Sequence, residues 1–192
     1  MKIMVIVDMQ NDFVTGPLGS PEAQAVVPKI VERLEAAEGS QCLVLFTKDT
    51  HQPNYLETQE GKNLPVEHCI EGTSGWSIVK PIASYVDYSG KFLTYSAKNI
   101  IKGRFYKPTF GSIQLAEELK KICEMPDVDV EEIIFMGVCT DICVVSNVLM
   151  TKAYCPEVQI TVDAECCAGV TPERHIAALE TMKSCQVNVI NE

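Results

Sequence analysis

Nine cysteines, three histidines and a few acids ending apolar runs are the residues of this 192-residue chain with types and spacings suited to chemistry. Cys143 closes Gly137-Val-Cys-Thr-Asp-Ile-Cys143, just past the apolar run Glu132–Met136. A strand ending there and a helix opening near Asp141 place Cys143 in a first helical turn. Unpaired amides and the helix dipole favour a thiolate at such a place, and the same amides can hold an oxyanion. The competing reading is a small buried hydrophobe, which fits most of the other cysteines. Asp8 ends the run Ile3–Val7 and can serve as a proton acceptor. A thiol nucleophile needs such a base and a positive neighbour. Lys107, between Tyr106 and Pro108, can supply the charge; Lys102 competes with it. A third cluster is Asp49-Thr-His51, then Glu60, then His68. In an extended segment the D-x-H spacing points both side chains the same way. Imidazoles plus carboxylates suit zinc, iron or manganese, against the plainer reading of ordinary loop histidines. His175 reads as a structural or surface helix residue.

These residues need a scaffold. Apolar runs of strand length, Ile3–Val7, Cys42–Phe46, Glu132–Met136, Val158–Val162 and Val187–Ile190, alternate with helix-period segments. The helices are expected over Pro21–Ala37, Ser112–Cys123, Asp141–Ala153 and Thr171–Ser184, with Ser112 and Thr171 as N-caps. The alternation predicts an α/β fold: a three-layer, doubly wound, mostly parallel sheet with helices on both faces. Strands buried on both sides explain the continuous apolar runs. Ligands in this architecture bind outside the carboxyl ends of the strands, where Asp8, Lys48–His51, Lys107, Gly137–Cys143 and Asp163–Gly169 fall. The stretch from about 50 to 75 has no clear periodicity, and a loop of that length in a compact domain is usually functional.

Composition narrows the partners. Sixteen basic against 26 acidic residues give a net charge of −10, a poor match to phosphate backbones or anionic lipid. A small-molecule substrate is expected, with no nucleic acid and no membrane. The first residues lack the apolar stretch of a signal peptide, and an odd cysteine count with irregular spacing is no disulfide framework. Both point to a reducing cytoplasm. One domain over 1–192 is expected from the length.

Six short segments, in order, resemble the isochorismatase-like cysteine hydrolases, and among them the nicotinamidase/pyrazinamidase branch. They are Val5-Ile-Val-Asp-Met-Gln-Asn-Asp-Phe13, Thr47-Lys-Asp-Thr-His51, His68-Cys-Ile-Glu-Gly-Thr-Ser-Gly75, Lys107-Pro-Thr-Phe-Gly-Ser112, Gly137-Val-Cys-Thr-Asp-Ile-Cys-Val144 and Val162-Asp-Ala through Gly169. The resemblance implies a catalytic Asp8–Lys107–Cys143 triad, with Lys102 the other lysine, and a cis peptide at Val138–Cys139. It also implies an oxyanion hole from the amides of Cys139 and Cys143. The ligand set it implies is Asp49, His51 and His68, with Glu60 a looser match, for a divalent metal: zinc first, iron or manganese otherwise. The implied reaction is hydrolysis of nicotinamide to nicotinate and ammonia through a cysteine thioester, by a homo-oligomer. Phe13 and Trp76 are candidates to stack on the ring, or to be plain packing. The alternatives are another hydrolase of the family, acting on a different small amide or on isochorismate, and a binding module without chemistry.

Overall fold

The computed structural model describes residues 1–38, 40, 42–86 and 103–192. Lys102 lies outside them. Six strands form one sheet: β1 (Lys2–Val7), β2 (Cys42–Asp49), β3 (Arg104–Lys107), β4 (Glu132–Val138), β5 (Gln159–Ala168) and β6 (Asn188–Ile190). Their order is β3-β2-β1-β4-β5-β6, and every paired ladder is parallel. The helices are α1 (Asn11–Val14), α2 (Pro21–Ala37), α3 (Gln59–Asn63), α4 (Lys80–Val86), α5 (Ile113–Cys123), α6 (Val145–Tyr154) and α7 (Pro172–Ser184).

The two-residue period of the strands sorts the core into two layers. Ile3, Val5 and Val7 of β1 pack with Leu115, Leu119 and Ile122 of α5, Val148 of α6 and Met182 of α7. Ile6, one step out of phase, joins Val26, Ile30 and Leu34 of α2 and Ile82 of α4. This is the expected sheet between two helix layers. Local signals start the long helices. Ser20 Oγ accepts from Ala23 N at 3.0 Å, with Pro21 in the first helical position. Ser112 Oγ accepts from Leu115 N at 3.2 Å and Thr171 Oγ1 from Arg174 N at 3.3 Å, each satisfying a donor the helix leaves unpaired.

Several boundaries differ from the expectation. β2 continues through Thr47, Lys48 and Asp49, β4 through Val138, and β5 through Ala168. Polar residues end the apolar runs of β2 and β5 before the strands end, and in β4 the run is broken by Gly137. The helix expected from Asp141 opens instead as a π-helical turn, Thr140–Val144, before α6 begins at Val145. The aperiodic stretch after β2 carries a 3₁₀ turn at Tyr55–Glu57 and then α3.

Candidate active site

Three backbone features bring the first cluster together. Asp8, directly after β1, has φ 48°, a left-handed conformation uncommon outside glycine. Gly137 in β4 has φ 124°, and a Cβ there would lie 2.1 Å from the Val7 carbonyl oxygen. Glycine is thus required for β4 to close on the end of β1. The peptide between Val138 and Cys139 is cis, as the resemblance implies, and the π turn that follows carries Cys143. Lys107 is the last residue of β3, in register with Asp49, the last residue of β2.

These positions converge. Lys107 Nζ lies 2.6 Å from Asp8 Oδ2, 3.5 Å from Cys143 Sγ and 3.5 Å from Asp49 Oδ1, and donates to the Thr109 carbonyl at 3.1 Å. Asp8 and Lys107 are 0% and 1% exposed, and Cys143 is 6%. Thr47 locks the acid from the other side. Its hydroxyl donates to Asp8 Oδ1 at 2.6 Å and accepts from Asp8 N at 3.2 Å. Thr47 had a readable signal: it is two residues from Asp49 on a strand, so both point the same way.

Burial dominates the electrostatics of the cluster. It pushes the Asp8 carboxyl up; the Lys107 charge opposes this and Asp49 adds to it. Burial also raises the Cys143 thiol well above its usual value. Lys107 pulls it down, while Asp8 and Asp49 push it up. For Lys107, burial opposes the charge, but Asp8, Cys143 and Asp49 outweigh it and the ammonium is held. Burial and the two acids thus work against the thiolate that the position at a helix start favours.

The second cluster lies beside the first and shares Asp49 with it. His51 Nε2 lies 2.9 Å and His68 Nε2 3.4 Å from Asp49 Oδ2. One ligand atom from each of Asp49, His51 and His68 falls within 4.8 Å of the others, and all three residues are buried. Glu60 Oε1, on α3, is 3.6 Å from His51 Nε2 and 3.8 Å from His68 Nε2. His68 Nδ1 is hydrogen-bonded at 2.8 Å to the Val66 carbonyl, which accepts and so leaves Nε2 free to ligate. These donors fit a divalent cation. Tyr55, which the sequence reading did not single out, packs against both imidazoles, with ring centroids at 4.7 and 4.9 Å. Gln10 was also missed. It donates to the Asp49 and Trp76 carbonyls at 2.8 and 3.0 Å and accepts from Asp49 N at 2.7 Å.

The two aromatic candidates separate. Phe13 lies against His68, with centroids 5.4 Å apart. Trp76 donates to Thr50 Oγ1 at 2.9 Å and stacks on Tyr106 at 5.7 Å; Lys48 Nζ sits 3.0 Å from its ring centroid. Its ring contacts are with these residues and not with the histidines. His175 is not a plain surface residue: its Nδ1 is 2.8 Å from the buried Thr140 hydroxyl.

Known proteins share this arrangement of elements. The chain is 24% identical to the nicotinamidase of Saccharomyces cerevisiae, covering 100% of both. It aligns with the crystal structure of nicotinamidase PncA from Bacillus subtilis at TM-score 0.76 and 26% identity, covering 99% of each chain. It aligns with the structure of pyrazinamidase from Pyrococcus horikoshii in complex with zinc at TM-score 0.75 and 22% identity, covering 100% of this chain and 99% of that one. The family model of the isochorismatase domain matches residues 2–192, and the chain belongs to that family of hydrolases.

Proposed function

We propose that this chain hydrolyses nicotinamide to nicotinate and ammonia through a thioester on Cys143. The observation that carries the reading is one cluster feeding another. Asp8, Lys107 and Cys143 meet at the rim of the sheet, and Asp49 joins them to His51 and His68. The nicotinamidases of yeast and Bacillus subtilis, similar over nearly the whole chain, support the choice of substrate.

The chemistry follows from the charges. Asp8 takes the Cys143 proton as sulfur attacks the carboxamide carbon. A carboxyl whose affinity for protons is raised by burial is well matched to that transfer near neutral pH. Lys107 stays charged and stabilises the thiolate as it forms. The amides of Cys139 and Cys143 would receive the developing oxyanion. The C–N bond then breaks, and Asp8 returns its proton to the departing ammonia. Water attacks the thioester with Asp8 again as base, releasing the acid and restoring the thiol. Asp49, His51 and His68, with Glu60 in reach, would hold a divalent cation, zinc first, with iron or manganese compatible with the same donors. Held there, a divalent cation would supply Lewis-acid attraction for a pyridine nitrogen, and the three residues would in that way help orient the amide toward Cys143. Phe13 is placed to bound the ring beside His68.

The test is ammonia release from nicotinamide, pyrazinamide, a carbamoyl compound and isochorismate, by the native chain and by Cys143→Ala. Nicotinamide should be turned over fastest, and the variant should be inert with an unchanged fold. Preference for another substrate, or turnover by Cys143→Ala, overturns the proposal.

A further inference from the structure

The Cys143 turn is fastened at two points, once to α7 and once to the link between β5 and α7. Thr140 is fully buried, and its hydroxyl is 2.8 Å from His175 Nδ1. The next residue, Asp141, accepts from Val170 N through Oδ1 at 2.9 Å. Between them Gly169 passes so close that a Cβ would lie 2.9 Å from His175 Cβ and 3.0 Å from Asp141 Oδ1. Thr140 directly follows the cis-linked Cys139 and opens the π turn that ends one residue after Cys143. Thr140 thus stands between the residues that carry the two amides, and a shift of Thr140 would carry Cys143 with it and strain its link to Cys139. Burial holds the His175 imidazole pKa below its ordinary value, with Asp141 opposing, so a neutral ring is available to the hydroxyl.

We propose that His175 is a positioning residue. Through the Thr140 hydroxyl it fixes the turn that carries the nucleophile and both amides expected to receive the oxyanion. It touches no reacting atom. The assignment rests on the reading of Cys143 as nucleophile. It also explains why a polar ring stands at this point of α7, packed toward Thr140, where an apolar residue would fill the space equally well.

Its consequence is a loss in turnover with substrate binding preserved. Misaiming an oxyanion donor or a nucleophile by about 1 Å costs on the order of a hundredfold in rate. The experiment compares nicotinamide hydrolysis by the native chain, His175→Ala, His175→Asn, Thr140→Val, the His175→Ala/Thr140→Val double variant and Cys143→Ala, with the melting temperature of each. The Asn amide reaches the position of Nδ1. His175→Ala should lower kcat about ten- to hundredfold, with KM changed less than about threefold, and His175→Asn should recover most of the loss. Thr140→Val should match His175→Ala, and the double variant should be no worse than either alone. Native kcat in His175→Ala, no recovery with Asn, or losses that multiply in the double variant would overturn the assignment. Turnover by Cys143→Ala would instead sink the nucleophile reading beneath it, and the two failures are told apart by that one arm.

Discussion

Lys107 stands among Asp8, Asp49 and Cys143 with almost no access to water. Its role in holding the site together is as direct as its role in the proposed reaction. Taking away one member of a buried ion pair leaves the other uncompensated, at a cost of about 3–5 kcal/mol. Lys107→Met, close in length and apolar, should lower the unfolding free energy by about that amount, as read from urea denaturation, and abolish turnover. A loss below about 1 kcal/mol would mean the acids are neutralised without it. Thr47→Val should cost less, about 1–3 kcal/mol, because it strands hydrogen-bonding groups on a buried carboxyl and not a charge. At this scale the sequence was readable where the residue type is rare or reactive. Asp8, Asp49, His51, His68 and Cys143 stand out by type and by place at the ends of apolar runs. Thr140 and Gln10 do not, since hydroxyls and amides are common and their partners lie 35 and 39 positions away; Thr47 is readable only through its two-residue spacing from Asp49. The electrostatics around Cys143 were only half legible: local position suggested the dipole, while burial and acids far away in sequence push the thiol the other way.

Five strands and the four long helices were legible by periodicity; the short β3, α1, α3 and α4 were not, and neither were the element ends. β2, β4 and β5 all outrun their apolar segments: Thr47 and Asp49 at the end of β2 reach the site, Gly137 lets β4 close on β1, and Asp163 in β5 pairs with Arg33. The opposite end of the sheet is tied by charge and hydrogen bonds. Glu132, first residue of β4, accepts from Lys2 of β1 at 2.8 Å, from Thr161 of β5 at 2.6 Å and from Gln159 at 3.1 Å, so one carboxylate ties three strands. Partial burial works against its charge, but the Lys2 and Thr161 bonds prevail and hold its pKa below the usual glutamate value. A group whose pKa is lower folded than unfolded adds stability above its unfolded value, and loses it as the pH falls toward the folded one. The urea midpoint of the native chain should therefore fall between pH 6 and pH 3.5 more steeply than that of Glu132→Gln. Parallel curves would show that the three-strand tie contributes nothing through charge.

At the scale of the whole molecule the sheet order sets the site. The chain winds outward from β1 through β2 to β3, then crosses to β4 and winds out the other way through β5 to β6. The crevice where the direction reverses lies between the carboxyl ends of β1 and β4, where Asp8 and the Cys143 turn stand. That general rule made the site's position legible, though no spacing in the sequence pairs Asp8 with a residue 99 or 135 positions later. The cluster of Asp49, His51, Glu60 and His68 is held differently. Asp49 belongs to β2, but His51, Glu60 and His68 lie on the segment that follows it. The far end of that segment is fastened independently of them: Cys69 N donates to Asp12 Oδ2 at 2.8 Å, Asn11 Nδ2 to the Ser74 carbonyl at 2.7 Å, and Gln10 to the Trp76 carbonyl. Between these fastenings and β2, residues 52–67 depend on the buried Tyr55 and on the histidines it packs against. Adding zinc to chelator-treated protein should slow amide exchange in 52–67, while β1, β4 and the Cys143 turn exchange as before. His68→Ala should remove the zinc effect and leave the baseline of the sheet intact. If zinc instead protects β1 and β4 to the same degree, the cluster stabilises the entire fold and the division into a sheet-held triad and a loop-held cation site is wrong.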